Sequence, residues 1–132
     1  MRLISVEANS SLEMTLNESD GYSSLTFSAR IELGHGTFVA ENRDVHFRTL
    51  PSFRREVARF IADRSLRPRA EGSYESYIEL YGDGRHTFVA FMIGDAYCGR
   101  EAACFSFTGS FEFESDHLST LVRELEVLDY DP

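Results

Sequence analysis

The stretch from Thr49 to Ser65 constrains the fold more than any other part of this sequence. Its apolar residues recur mostly at steps of three or four and so lie on one face of a helix: Leu50, Phe53, Val57, Phe60 and Ile61. Thr49 is a suitable N-cap, and Pro51 lies in the first turn, where a missing N–H costs no hydrogen bond. Arg67-Pro68 is expected to end the helix, because the residue before a proline is pushed out of helical dihedrals. The sequence therefore predicts a helix at about residues 50–64.

The chain before this helix alternates apolar and polar residues with period two, which is typical of strands with one buried face. The segments that show this alternation are residues 11–17, 25–33 and 38–47. Residues 2–7 are a candidate for a short first strand, and their pattern is too brief to separate a strand from a disordered tail. The last of these strands is expected to contain a bulge, because its alternation breaks at Asn42-Arg43-Asp44.

After the helix, the same alternation predicts strands over residues 73–81, 87–93 and 103–113. In the strand at 87–93 both parities are apolar, which indicates a central position in the sheet. A second helix at about 116–128, capped by Ser115 or Asp116, presents a stripe of Leu118, Leu121, Val122, Leu125 and Leu128. The predicted fold class is α+β in a single domain spanning residues 1–132: an antiparallel meander sheet of five to seven strands with two helices packed on one face.

Composition limits the partners and the compartment. The net charge of −9 argues against binding nucleic acid, which depends on basic residues that release phosphate counterions, and it favours a cationic partner. No window approaches the roughly 20 apolar residues of a membrane span, and no signal-peptide pattern opens the chain. We therefore expect a cytoplasmic protein without membrane contact. Because a chain of 132 residues can bury an adequate core, Cys98 and Cys104 are expected not to be bonded to each other.

Patterns typical of enzymes are missing from the sequence. It contains no G-x-S-x-G motif, no glycine-rich phosphate loop, and neither C-x-x-C nor H-x-x-x-H spacing for a metal. Glu112 and Glu114 share one strand face, a spacing that a general acid–base pair can use, but solvated strand ends show it far more often. We therefore expect a non-enzymatic protein without a metal or a cofactor.

The polar parity of the strand at 73–81 supplies the candidate binding residues. Glutamate and tyrosine alternate along it as Glu75, Tyr77, Glu79 and Tyr81, and Glu112 and Glu13 are expected to extend the same face. Tyrosine offers a large contact area and carboxylates complement a basic surface, so this face suits a protein partner. Asp95 and Tyr97, in a later loop, form a second candidate set. An ordinary solvated sheet face shows the same alternation, and both interpretations stay open.

The order of the elements also resembles the layout of a known group of proteins. The features that it shares are a strand with Phe27-Ser28-Ala29, a strand with Gly36-Thr37-Phe38, a helix with Leu50-x-x-Phe53, and a terminal strand before a leucine-rich helix. In this layout, residues 11–128 resemble the WapI-type immunity proteins and related small bacterial domains of unknown function. The resemblance implies a meander sheet with two helices in a bacterial protein that neutralises a cognate toxin by binding it.

The resulting hypothesis is a non-enzymatic immunity protein that neutralises a basic toxin through an acidic and aromatic face. The alternative is a small-ligand-binding domain with an aromatic-lined pocket between the sheet and the helices. Surplus apolar volume lined by a few polar groups would favour the ligand. A filled core beneath a solvent-facing row of glutamate and tyrosine would favour the protein partner.

Overall fold

Two antiparallel four-stranded sheets and two helices make up the described part of the chain. The structure is a computed structural model and describes residues 1–19, 22–95 and 105–128. In the first sheet the strands follow the order β1 (Arg2–Ile4), β2 (Ser11–Ser19), β3 (Tyr22–Leu33) and β4 (Gly36–Val45). In the second sheet they follow the order β5 (Arg69–Glu71), β6 (Tyr77–Tyr81), β7 (Thr87–Gly94) and β8 (Ser106–Phe113). Helix α1 (Leu50–Ala62) follows β4, and helix α2 (Leu118–Leu128) follows β8.

The α+β class and the antiparallel pairing of sequential strands are confirmed, but the single sheet of five to seven strands is wrong. The described residues form eight strands in two sheets, with α1 between the fourth strand and the fifth. The strand missing from the prediction is β5, whose three residues are too few to show a period. The helices do not share one face of a single sheet. Instead, α1 packs along α2, and both contribute to the core that the two sheets share.

The two sheets meet at two corners that are built alike. Ser5, just after β1, forms an isolated bridge with Phe113 at the end of β8. Gly72, just after β5, forms the same kind of bridge with Phe47, two residues beyond β4. A backbone hydrogen bond of 2.9 Å accompanies each bridge, from Val6 N to Glu112 O and from Ser73 N to His46 O. Each half of the chain therefore repeats one plan, in which the end of its short first strand joins the last strand of the other half.

One hydrophobic core lies between the inner faces of both sheets and the helix pair. Its largest fully buried side chains come from every layer: Phe27, Phe53, Phe60, Phe91, Phe113, Leu3, Leu12, Met14, Ile78, Leu80, Ile93 and Leu121. Burying one such side chain contributes about 1.5–3 kcal/mol. The strand β7 is central, as predicted, since it pairs with β6 on one side and β8 on the other. The outer parities of both sheets face away from this core.

Helix α1 has the predicted apolar stripe but ends earlier than predicted. It stops at Ala62, five residues before Arg67-Pro68, because Asp63 adopts extended dihedrals of φ −125° and ψ 94°. The Asp63 carboxylate then accepts hydrogen bonds from the backbone and hydroxyl of Ser65, a local pattern that competes with the helix. Ile61, at the edge of the stripe, is 45% exposed, whereas the other four predicted residues are buried.

Helix α2 begins two residues later than predicted, because Ser115–His117 form a single turn of 3₁₀ helix. The Ser115 hydroxyl lies 2.7 Å from the hydroxyl of Thr87, which ties this turn to the start of β7. The predicted stripe is confirmed, with Val122 half-buried and four residues buried: Leu118, Leu121, Leu125 and Leu128.

The predicted bulge in β4 is also confirmed. Leu25 pairs with Val45, and Phe27 pairs with Asn42. Two residues of β4, 43 and 44, therefore oppose a single residue of β3, as in a β-bulge. The break in alternation was a sufficient signal because the apolar parity of β4 changes at this point.

Candidate functional site

The outer face of the second sheet brings together most of the predicted site residues. On β6 the odd-numbered residues point outward, since Ile78 and Leu80 are fully buried. Strand pairing gives their neighbours as Tyr77 with Met92, Tyr81 with Phe88, and Phe88 with Glu112. We call this surface the tyrosine face; its members are Arg67, Arg69, Tyr77, Glu79, Tyr81, Phe88, Ala90, Met92 and Glu112.

An aromatic cluster lies at one end of the tyrosine face, next to the turn between β6 and β7. The rings of Tyr81 and Phe88 are stacked, with centroids 5.3 Å apart and planes 17° apart. Such a pair contributes about 0.5–1.5 kcal/mol beyond its buried area. The imidazole of His86 lies 6.4 Å from the Phe88 ring. Tyr77 and Met92, at the other end of this strand pair, are half-buried like the stacked rings, so the cluster stays accessible from solvent.

Two arginines lie over the tyrosine rings. The Arg69 guanidinium is 4.1 Å from the centroid of the Tyr77 ring, and the Arg67 guanidinium is 4.9 Å from that of Tyr81. The Glu79 carboxylate lies between them, 3.2 Å from Arg67 and 4.0 Å from Arg69. Each cation–π contact is worth about 0.5–1 kcal/mol at an exposed site. Both tyrosine rings are therefore held in place by side chains that are themselves paired.

The two arginines were not among the predicted site residues. Arg67, Arg69 and Glu71 alternate with Pro68 and Ala70, both of which are buried. This alternation is the signal that could have revealed β5 and its register with β6. Five residues are too few to distinguish it from chance, because the same pattern arises in irregular connections.

The carboxylates of the tyrosine face are paired rather than free. Besides Glu79, the Glu112 carboxylate lies 3.2 Å from Nδ1 of His86. The hydrogen bond to Glu112, together with its charge, raises the pKa of His86 above its ordinary value. Glu71, at the margin, lies 3.1 Å from Nε of Arg69. Glu79 and Glu112 therefore do not offer the unpaired negative charge that a basic partner would meet first.

Glu75 lies off the strand, in a strained turn. Residues 73–75 form a single turn of 3₁₀ helix, in which Tyr74 and Glu75 have φ of 59° and 62°. A left-handed conformation costs a non-glycine residue about 1–3 kcal/mol. The buried Ser76 anchors this turn, because its hydroxyl accepts a hydrogen bond of 3.1 Å from the Gly94 N–H. Glu75 is therefore exposed beside the tyrosine face rather than part of it.

The remaining predicted residues lie elsewhere. Asp95 directly follows Gly94 at the end of β7 and is half-buried. Tyr97 falls outside the described residues, as do both cysteines and the prediction that they are unbonded. Glu13 lies on the outer face of the first sheet, where its carboxylate is 3.5 Å from Nε of Arg2. It therefore does not extend the tyrosine face as expected.

A hollow between the first sheet and the helix ends corresponds most nearly to the predicted ligand pocket. It measures about 260 Å³ and is open to solvent; its apolar lining consists of Leu16, Leu25, Val45, Phe47, Leu50 and Leu128. Ligand pockets usually hold about 300–1,000 Å³. A second open hollow, of about 560 Å³, lies on the outer face of the first sheet among Arg2, Glu13, Arg30 and Glu41. Neither is the aromatic-lined pocket that the ligand alternative requires.

Similarity to known proteins does not decide between a protein partner and a small ligand for this chain. Neither the family models, the curated proteins nor the solved structures give a match to this chain. Within residues 1–19, 22–95 and 105–128, no group of three or more His, Cys, Asp or Glu side chains could hold a metal ion. In the same ranges, no helix has the length and apolar character needed to cross a membrane. Function is therefore inferred from the geometry of the tyrosine face and from the charge of the chain.

Proposed function

We propose that this chain is a non-enzymatic binding protein that contacts a protein partner through the tyrosine face. The observation that supports this function most is a set of two half-buried cross-strand pairs, Tyr77 with Met92 and Tyr81 with Phe88, in which each tyrosine ring lies beneath an arginine. Aromatic residues, methionine and arginine are the types enriched in the cores of protein interfaces. Tyrosine and arginine are also frequent among the residues that dominate binding energy.

The contacts within the tyrosine face lower the cost of binding. Because the rings of Tyr77 and Tyr81 already lie under guanidinium groups, they lose less rotamer freedom when a partner covers them. The Glu79 carboxylate is paired with Arg67 and Arg69, so a partner that excludes water from this face does not bury an isolated charge. The face is thus organised before the partner arrives.

The partner is a basic protein, and a bacterial toxin is the kind that the resemblance to WapI-type immunity proteins implies. The net charge of −9 attracts such a partner over long distances. Exposed acidic residues stand at the ends of the strands of the tyrosine face: Glu75 before β6, Asp83 in the turn after it, and Glu114 after β8. Charges at these strand ends would speed association, while the aromatic side chains of the tyrosine face would slow dissociation.

The experiment is co-expression with the product of the neighbouring gene, followed by binding kinetics on purified variants. Tyr77→Ala is expected to raise the dissociation rate and weaken binding by about 2 kcal/mol or more. Glu75→Gln is expected to lower the association rate, and added salt should reduce it further because the Debye length is then shorter. Val39→Ala, at a position 72% exposed on the first sheet, is the matched control and should bind like the original chain.

The possible outcomes separate the hypotheses. Unchanged kinetics for both Tyr77→Ala and Glu75→Gln would place the interface away from the tyrosine face, and Asp95 would be the next residue to replace. A folded chain that captures no protein but keeps a small molecule through purification would support the ligand-binding alternative instead.

A further inference from the structure

The strand β8 has an open backbone edge in the described part of the chain. Val6 N donates to Glu112 O, so the backbone groups of Glu112 point away from β7. Because backbone orientation alternates along a strand, the N–H and C=O groups of Ser106, Thr108 and Ser110 point the same way. No residue in the ranges 1–19, 22–95 and 105–128 pairs with them. With respect to these described ranges, the three residues therefore present backbone groups that are available for strand pairing.

Among the described residues, this edge lacks the features that usually prevent strand pairing. Proteins protect edge strands with charged side chains, prolines, bulges or a covering element. The run from Ser106 to Phe111 contains no charge and no proline, and β8 pairs with β7 in unbroken register. The strand β4, in the equivalent place in the first sheet, carries Glu41, Arg43 and a bulge. The open edge of β8 is thus suited to pairing in a way that β4 is not.

We infer that a second copy of this chain pairs with β8 in antiparallel orientation, symmetrically about Thr108. In that register Thr108 faces Thr108 of the second copy, and Ser106 faces Ser110. Threonine and serine pairs of this kind stabilise neighbouring antiparallel strands, and no like charges meet. On the inner parity, Phe105, which is 42% exposed, would face the half-buried Phe111 of the second copy. The edge is therefore complementary to itself in hydrogen bonding, in charge and in apolar contact.

This pairing produces a closed dimer with a defined geometry. The two second sheets would join into one sheet of eight strands, and both tyrosine faces would lie on the same side of it. A two-fold interface of this kind uses the same patch on both copies, so assembly stops at two. The inference does not depend on the proposed partner, since it rests on backbone groups at the edge of β8, whereas the proposed partner contacts side chains of the tyrosine face.

Sedimentation equilibrium of the full chain over a wide concentration range tests the dimer. The expected result is a mass that rises with concentration from 15.0 kDa towards twice that value. Thr108→Pro removes an outward N–H without removing a bond to β7, and Thr108→Lys places two like charges opposite each other. Both are expected to raise the dissociation constant of the dimer at least tenfold. Val39→Lys, on β4, is the matched control and should leave it unchanged.

The register can be tested independently with introduced cysteines in a Cys98→Ser, Cys104→Ser background. Opposed residues of a hydrogen-bonded antiparallel pair have Cα atoms about 5.5 Å apart, which a disulfide can span. Thr108→Cys is expected to give a covalent dimer on mild oxidation, whereas Ser106→Cys alone and Ser110→Cys alone are expected to give little. A monomer at every concentration, or a dimer that Thr108→Pro and Thr108→Lys leave intact, would overturn the inference.

Discussion

The two sheets have the same sequential strand order, but the side chains on their outer faces differ in chemistry. On the first sheet, short polar side chains are interspersed with solvent-exposed ion pairs, such as Arg30 with Glu32 at 3.7 Å. On the second sheet, stacked rings and guanidinium groups take their place. Since both sheets bury their inner parity in one core, the outer parity is free to vary without loss of the fold. The difference between the faces therefore points to function rather than to folding.

The contrast between the outer faces is greatest at the third strand of each sheet, β3 in the first and β7 in the second. Each lies between two neighbours in its sheet, and each has at least three buried residues on its inner face. The outer parity of β3 is polar: Thr26, Ser28, Arg30 and Glu32. The outer parity of β7 is apolar: Phe88, Ala90 and Met92. The first sheet shows that a strand in this position can be solvated, so the apolar side chains of β7 need an explanation outside the core.

The largest expected effect is the loss of stability caused by a substitution on the inner face of the second sheet. Both sheets bury their inner faces in the same core. Phe91 is fully buried, and its ring centroid lies 6.2 Å and 6.4 Å from those of Phe107 and Phe111. Phe91→Ala is expected to lower the free energy of unfolding by about 3–5 kcal/mol, because it leaves a cavity. Phe107→Ala should cost less, since Phe107 is half-buried. Urea denaturation measures both; equal losses would show that the core extends further towards the open edge.

The second prediction concerns a substitution that makes the tyrosine face more polar, like the outer face of the first sheet. Phe88→Ser removes the ring stacked on Tyr81 and leaves the inner parity untouched. Binding to the protein partner is expected to weaken by about 2 kcal/mol or more, while the free energy of unfolding falls by less, about 1–2 kcal/mol from the lost stacking and partial burial. The measurements are a binding isotherm and a urea melt on the same preparation. If stability fell more than affinity, the ring would be structural, and the contrast between the faces would lose its functional meaning.

The third prediction concerns the strained turn beside the tyrosine face, where two residues are left-handed; the equivalent connection before β2 has one such residue, Ala8, with φ of 58°. Glu75→Gly is expected to raise the free energy of unfolding by about 0.5–1 kcal/mol, because glycine adopts a positive φ without steric cost. Glu71→Gly, at a position with ordinary strand pairing, is the control and should be destabilising. A thermal melt of both variants measures the effect. A loss of stability in Glu75→Gly would mean that contacts of the Glu75 side chain outweigh the strain.

The smallest expected effect is the pH dependence of the pair formed by His86 and Glu112. The pKa of His86 is raised in the folded protein, mainly by its hydrogen bond to Glu112. The stabilisation that the His86–Glu112 pair gives to the folded protein is therefore complete below the ordinary histidine pKa of about 6.5. It is lost as pH rises through the pKa that His86 has in the folded protein. The stability difference between the original chain and His86→Gln should thus be larger at low pH than at high pH. Thermal melts of both from pH 5 to pH 9 would contradict this if the difference stayed constant.

Periodicity was enough to predict the elements with long, regular patterns. Six of the eight strands and both helical stripes follow from it, because a strand-like or helical pattern that extends over seven or more residues leaves few alternatives. The break at residues 42–44 also revealed the bulge. The division into two sheets was not predictable, because period two says which side of a strand is buried but not which strands are neighbours.

The candidate site was predictable in its β6 part only. Tyr77, Glu79 and Tyr81 share a face because they alternate with buried residues. The neighbours that neutralise Glu79 come from β5, which is too short to recognise, so the charge of the face was overestimated. Glu75 was misplaced for a different reason: its left-handed backbone has no sequence signal, since glycine is the residue expected at such a position.

The two similar corners between the sheets differ greatly in the length of chain that each one closes. Phe47 and Gly72 are 25 positions apart in the sequence, whereas Ser5 and Phe113 are 108 positions apart. Loop-closure entropy rises with the logarithm of length, so the longer closure costs about 1.3 kcal/mol more. During folding, we expect the corner at Phe47 to form first and the corner at Ser5 to form last. By the same reasoning β1 is the first strand to detach when the native protein opens locally, and its amides should exchange hydrogen sooner than those of β5.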